Sequence, residues 1–294
     1  ALGYGALYAV TGEKNTSVGS NSLVAATTGT NNSALGYAAL AACTTGAANV
    51  AVGYQAGTAL TTGGFNVALG DRSLYTQTTV AYNVAVGYAA AYKNTTGDYV
   101  VAVGSGALFA NTTGASNTAV GRDALTENTT ANYNTAVGTG ALQYNTTTNG
   151  NTAVGYRALL DNTGTENTAI GGYAGQNLTT GSHNCAMGYT ALNACTTNDY
   201  NTAIGKESLY TCVADACTAV GWRAAFQVTT GGYMVAVGYK AGYTNTTASQ
   251  NTYVGYRAGR DNNASDVTYI GYDAGYRATG ASNTALGHRA MDAA

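Results

Sequence analysis

The chain has 294 residues with 40 Gly, no Pro, 24 Tyr against 3 Phe and 1 Trp, and only 9% charged residues, where about 25% is usual. Twelve Lys+Arg against fourteen Asp+Glu leave a formal net charge of −2, so no basic surface exists to hold a nucleic acid. No run of about 18 apolar residues crosses a membrane as a helix, and the wealth of aromatic and β-branched residues excludes a disordered chain.

Aliphatic-Gly dipeptides recur from one end to the other. Their glycines are Gly3, Gly19, Gly36, Gly53, Gly70, Gly87, Gly104, Gly121 and Gly138, then Gly155, Gly171, Gly188, Gly205, Gly221, Gly238, Gly255, Gly271 and Gly287. These 18 anchors are separated by twelve spacings of 17 residues and five of 16. One array therefore spans residues 1–294, entered at Ala1 and left at Ala294 within a repeat.

With the anchor glycine as position 0, each phase has a narrow composition. Position −4 is Asn in 13 of 17 coils, −3 is Thr, Val, Ser or Cys, −2 is Ala in most, and −1 is always aliphatic. Tyr253 and Tyr269 are the large residues at −2. Position +3 is only Ala or Ser, +4 is Leu, Ala, Gly or Met, and +7 to +10 often read Asn-Thr-Thr-Gly, as at 94–97 and 111–114. None of the 26 charged residues falls between −4 and 0 or at +3 and +4. An unpaired buried charge is expensive, so those phases are expected to form the interior, with a Val and a Leu buried in each coil.

A unit of 16–17 residues is too short for two helices. It reads as short strand, bend, short strand and turn, one coil of a parallel β-solenoid. The predicted fold class is all-β. Eighteen coils about 4.8 Å apart would build a rod on the order of 85 Å long, with the −4 Asn side chains bonding from coil to coil. The Ala-Gly strip at −2 and 0 points to close approach by another backbone, either the coil's own or, the favoured expectation, that of a second chain.

The repeats NTAVGYRAL (151–159), NTAIGKESL (201–209) and NSALGYAAL (32–40) resemble the head repeats of trimeric autotransporter adhesins. They are closer still to the NTAVGY-type repeats of phage tail-fibre and fibre-like surface proteins. The resemblance covers essentially the whole chain. It implies a left-handed β-roll, a homotrimer of side-by-side chains, and an extracellular place on a bacterial surface or virion. The coils are longer than the usual adhesin head repeat, and no stalk, membrane anchor or fibre chaperone segment is present in the sequence.

Chemistry-bearing residues are sparse. The pairs Gly104/Gly106 and Gly138/Gly140 begin no GxGxxG motif, His183 and His288 lie in distant coils, and Asp161, Asp261 and Glu127 share phase +6 without neighbouring. No catalytic residue, metal site or cofactor is expected, and no enzyme activity. Cys195 and Cys212 share phase +7 in adjacent coils, close enough for a disulfide, the alternative being two stacked thiols. Cys185 replaces a −3 Thr or Val and reads as a small buried residue. The Asn-Thr-Thr turns supply glycosylation triplets at Asn94, Asn111, Asn128, Asn145 and Asn245.

Tyrosine is the most function-bearing signal. It holds nine of eighteen +1 positions, including Tyr37, Tyr54, Tyr88, Tyr156, Tyr189, Tyr239, Tyr256 and Tyr272, with Trp222 in the same phase. More tyrosines occupy +5 (Tyr75, Tyr92, Tyr210, Tyr243, Tyr276) and −5 (Tyr82, Tyr99, Tyr133, Tyr200, Tyr233). Such ladders either stack on themselves and seal grooves between chains, or anchor a partner such as a cell-surface glycan or receptor. The leading expectation is a structural fibre that mediates attachment. The alternatives are an ice- or glycan-binding solenoid and a filament that assembles end to end.

Overall fold

The three residues before each anchor glycine are extended, and they are the strands of the fold. The computed structural model describes residues 1–8 and 10–292, so the end of the array at Ala294 lies outside them. Two compact units divide the chain, Ala1–Gly150 and Asn151–Ala294. Each is a parallel β-solenoid, with no helix among the described residues.

In the first unit the strands are β1 (Thr16–Val18), β2 (Ser33–Leu35), β3 (Val50–Val52), β4 (Val67–Leu69), β5 (Val84–Val86), β6 (Val101–Val103), β7 (Thr118–Val120) and β8 (Thr135–Val137). They pair in chain order, every residue beside its equivalent one repeat on, such as Ala51 with Ala68 and Val103 with Val120. The second unit repeats the pattern with β9 (Thr152–Val154), β10 (Thr168–Ile170), β11 (Cys185–Met187), β12 (Thr202–Ile204), β14 (Thr218–Val220), β16 (Val235–Val237), β17 (Thr252–Val254), β18 (Thr268–Ile270) and β19 (Thr284–Leu286). A second, two-residue pairing joins β13 (Thr211–Cys212) to β15 (Gln227–Val228).

Two strands per coil were expected, and apart from β13 and β15 there is one. The reason lies in the backbone that follows the anchor. Positions 0, +2, +4 and −5 all take positive φ: Gly53 at 136°, Arg72 at 51°, Leu108, Leu125 and Leu142 at 49–51°, and Tyr82 and Tyr99 at 61° and 57°. A chain that reverses so often curls instead of extending. It still bonds from coil to coil along its length. The Val50 N–H donates to Asn66 O at 2.9 Å, Leu40 to Ala56 O at 3.0 Å and Thr61 to Thr78 O at 2.8 Å, all toward the next coil. Gly53 donates to Leu35 O and Gln55 to Tyr37 O, both at 2.8 Å, toward the previous one.

At the anchor only glycine fits. A Cβ on Gly53, Gly104 or Gly155 would meet the carbonyl oxygen of the next anchor at 2.5 Å, on a backbone with φ of 133–137° that side chains rarely adopt.

The interior differs from the sequence reading in one respect. Within each strand the middle residue faces inward and its neighbours face outward. The −2 alanines are buried, whereas Leu35 keeps 50% of its surface and Ile170 and Met187 keep 39%. The core is therefore Ala at −2 against Ala at +3 and Leu at +4, and the expected buried valine at −1 is not part of it. The small −2 strip meets its own coil, because Leu fills the space opposite; it is not where a second chain enters. Charge-free phases marked the interior correctly at −4, −2, +3 and +4, and wrongly at −3 and −1.

Two columns of buried asparagine run beside this core. The Asn32 Oδ1 accepts the Asn49 N–H at 2.9 Å and the Asn49 Nδ2 at 3.1 Å, while the Asn49 Nδ2 also donates to Gly63 O at 2.9 Å. The expected side-chain ladder at −4 exists, then, but it chiefly clamps backbone. At +7, the Asn111 Nδ2 donates to Asn94 Oδ1 at 2.9 Å and to Gly114 O at 2.9 Å. An amide both donates and accepts, so it can stack upon itself without leaving a buried group unpaired.

Core volume is conserved by compensation. Where −2 becomes Tyr253 or Tyr269, the facing +4 positions shrink to Gly242, Gly259 and Gly275, and a side chain at Gly259 or Gly275 would run into the ring. Where +4 is Gly57 or Gly175 opposite an alanine, +7 changes from Asn to Leu60 or Leu178, both within the core. Gly259→Leu alone should overpack the Tyr253 coil and cost about 1–3 kcal/mol. Tyr253→Ala alone should open a cavity costing about 3–5 kcal/mol. The double variant restores the Ala–Leu pair, and its thermal midpoint should lie above that of either single variant.

Candidate recognition surface

Outward from the strands run two adjoining columns. Position −1 presents Val, Ile, Leu and Met, and −3 presents Thr and Val, with Val50 and Val235 at 37% and 38% exposure. No charge interrupts either column. Sequence alternation alone placed −3 and −1 on one face but did not say which face was inside.

Aromatic side chains form further columns, and most cover one another. At +1, Tyr37 stacks on Tyr54 with centroids 5.3 Å apart, and Tyr239, Tyr256, Tyr272 and His288 form a run at 4.9–5.1 Å. Trp222 meets Tyr239 edge-on at 5.3 Å. Tyr156 and Tyr189 both lie edge-on to Tyr173, at 5.1 and 5.9 Å. Tyr88 follows Asp71 and precedes Ser105 in its column and joins no ring stack among the described residues. At +5, Tyr75–Tyr92–Phe109 and Tyr210–Phe226–Tyr243 stack at 4.9–5.2 Å, and at −5 Phe65–Tyr82–Tyr99 does so at 5.1–5.3 Å. His183 stacks on Tyr200 at 5.0 Å, with its Nδ1 3.1 Å from Glu166 Oε2.

Cations sit over these rings. Arg72 lies 5.6 Å from the Tyr54 centroid, Lys240 lies 5.2 and 5.3 Å from Tyr239 and Tyr243, and Arg257 lies 5.0 and 4.9 Å from Tyr256 and Tyr276. Two acids join the same face. Asp273 receives a bidentate pair from Arg257 at 2.8 and 2.6 Å, which holds the guanidinium pKa above its ordinary value. Glu207 accepts from Arg223 Nε and lies 3.5 Å from Lys206 Nζ. Burial would raise the Glu207 carboxyl, but the two cations together hold it below the ordinary carboxylate range.

The five cysteines are free thiols. Cys195 and Cys212 do stack in adjacent coils, yet the Cys195 Sγ donates to the Cys212 carbonyl at 2.8 Å instead of bonding to its sulfur. With Cys217 they replace core asparagines at +7 and −4, and Cys212 and Cys217 donate to Ala214 O at 3.2 Å and to Asp215 O at 3.6 Å. The Cys195 thiol, together with burial, pushes the Cys212 pKa up, and the Cys212 thiol does the same to Cys217. Cys185 is half-buried on the outward face.

The glycosylation triplets are corrected by burial. Asn94, Asn111, Asn128, Asn145 and Asn245 are all 0% exposed, because +7 is a core phase; the first four donate to the turn carbonyl three residues on, while the Asn245 Nδ2 donates to Tyr253 Oη and its Oδ1 accepts the Ala248 N–H. The threonines at +8 are occupied as well. Thr95, Thr112 and Thr129 donate their hydroxyls to the next coil's carbonyl at 2.8–3.0 Å. Among the described residues no group of three His, Cys, Asp or Glu is placed to hold a metal ion, and no helix is long and apolar enough to cross a membrane.

No protein-family model, curated protein or solved structure matches this chain.

Buried thiols react slowly, because a reagent cannot reach them and burial disfavours the thiolate nucleophile. Iodoacetamide applied to the folded chain should reach Cys185 first and leave Cys43, Cys195, Cys212 and Cys217 unmodified. Unfolding without reductant should then give modification of all five, read by intact mass; a chain short by two additions would reveal a disulfide.

Proposed function

We propose that this chain is a structural segment of an extracellular fibre, in which three copies lie side by side through their −3/−1 faces and the remaining surface serves attachment. The observation that carries the reading is the aliphatic column at −1, outward-facing and free of charge in both units. Burying a Val or Ile side chain is worth roughly 1.5–3 kcal/mol, and contiguous exposed apolar surface of this kind marks an interaction site. A copy of the same chain fits it best, since its columns repeat at the same coil spacing and carry no charge to desolvate.

The resemblance of the NTAVGY-type repeats to fibre and adhesin repeats supports the same reading and its placement on a bacterial surface or a viral tail fibre. Continuous inter-coil hydrogen bonding and the absence of Pro suit a segment that resists bending. Attachment would use the aromatic columns, which leave the strand faces free for assembly.

Sedimentation equilibrium at micromolar concentration should give three chain masses. Val86→Lys with Val120→Lys should give one, with an unchanged circular dichroism spectrum, because outward-facing positions tolerate substitution at a cost of about 1 kcal/mol or less. A wild-type chain that sediments as a monomer would remove the threefold assembly.

A further inference from the structure

In most columns the rings cover each other's faces and leave only edges and hydroxyls to solvent. The second unit has an interruption. At +1 the series runs Tyr189, Lys206, Trp222, and at +5 it runs Asn193, Tyr210, Phe226. Tyr210 therefore begins its stack: Phe226 covers one face at 5.2 Å, and a buried polar side chain, Asn193, whose Nδ2 donates to Tyr173 O at 3.0 Å, precedes it instead of a ring. Tyr189 ends its own series, edge-on to Tyr173 on one side and followed by Lys206, whose Nζ is 5.9 Å from the centroids of both Tyr189 and Trp222.

The uncovered face of Tyr210 and the Tyr189 ring, with the Lys206 ammonium over it, border one cavity of about 350 Å³, lined by Tyr189, Thr190, Glu207, Tyr210, Arg223 and Phe226. That is near the lower end of the roughly 300–1,000 Å³ typical of small-molecule sites. Its polar element is the Glu207 carboxylate, 16% exposed, paired with the Arg223 guanidinium and 3.5 Å from Lys206. The Thr190 hydroxyl donates to the Tyr189 carbonyl at 2.8 Å, which leaves its oxygen able to accept.

We propose that this cavity binds a pyranose ring, one hexose-sized unit of a neutral saccharide. The chemistry selects that class by elimination. A wholly apolar ligand would strip water from the Glu207–Arg223 pair without replacing its hydrogen bonds. A cation would meet Arg223 and Lys206, and an anion would meet the Glu207 carboxylate. A pyranose offers an apolar C–H face for the Tyr189 and Tyr210 rings and adjacent hydroxyls, each able to donate to the carboxylate and accept from the guanidinium. Rings uncovered on one face occur elsewhere too, as at Tyr75 and Tyr276, but this cavity brings Tyr189 and Tyr210 together with the Glu207–Arg223 pair. The proposal rests on the attachment half of the reading above and names its ligand class.

Trp222 is the only tryptophan and adjoins the cavity through Lys206 and Arg223, so its fluorescence reports occupancy. The full chain is titrated with methyl glycosides of glucose, galactose, mannose and N-acetylglucosamine, with sorbitol as an acyclic polyol control, and saturation-transfer NMR is recorded in parallel. At least one pyranoside should shift Trp222 emission and receive saturation at its ring C–H protons, while sorbitol should do neither. Tyr210→Ala and Glu207→Gln should each weaken that binding about tenfold or more, equivalent to ~1.4 kcal/mol, whereas Tyr92→Ala, in the +5 stack of the other unit, should leave it unchanged. No response to any pyranoside, an equal response to sorbitol, or indifference to both variants would overturn the site. Sedimentation of the same samples separates the two readings: a trimer that binds no sugar overturns the pocket alone, and a monomer that binds overturns the assembly alone.

Discussion

The structure depends on the approach of successive backbones at the anchor glycine. Each anchor lies against the carbonyl of the next with no room for a Cβ, and that contact fixes the register of everything between. Once register is fixed, every residue is the neighbour of its own equivalents, about 4.8 Å away. A residue type is then acceptable only if it tolerates itself. Alanine and leucine pack, asparagine both gives and receives a hydrogen bond, and tyrosine stacks. Charge does not tolerate itself: two like charges 5 Å apart repel by about 1–3 kcal/mol at effective dielectrics of 80 to 20. This accounts for the 9% charged content and for the company the charges keep. Glu207 and Asp273 stand at the ends of the +2 run Arg223, Lys240 and Arg257, and each of those cations lies over aromatic rings.

Much of this was legible in the sequence. The period, the solenoid, the asparagine column and the outward placement of charge followed from phase composition alone. The facing of the strand did not, because alternation shows which residues share a face and the inside is decided by what lies opposite. Here Leu at +4 fills the coil, so only a small −2 residue fits beside it, Ala or in one coil Ser17, and the larger Val and Ile are turned out. The compensating pairs would have shown this. Gly259 and Gly275 each fall six residues after a −2 tyrosine, which makes sense only if −2 and +4 share an interior. The Asn-Thr-Thr turns misled for a related reason, since a polar triplet looks solvated until the amide is seen holding the turn carbonyl from within.

Local preference could not have foretold the backbone either. Leucine, arginine and tyrosine are poor candidates for positive φ, yet Leu125, Arg157 and Tyr133 all take it. Strain of this kind is of order 1–3 kcal/mol per residue and persists only where surrounding structure over-determines it. Here neighbouring coils do so through hydrogen bonds on both sides. A single coil has the strain without the neighbours, so the repeat is stable only as a member of a stack.

That same self-stacking limits what the surface can recognise. A tyrosine column looks, in sequence, like a row of platforms for a ligand. In three dimensions the rings of Tyr239, Tyr256 and Tyr272 cover one another at 4.9 Å, and nothing can slide between faces already in contact. Regularity therefore works against ring-face recognition. It also explains why the ends of aromatic runs concentrate the chemistry, because there, as from Asn193 to Arg223, rings lose a neighbour beside a charged pair. In a fold built from equivalent residues, binding specificity has to come from positions that break the equivalence.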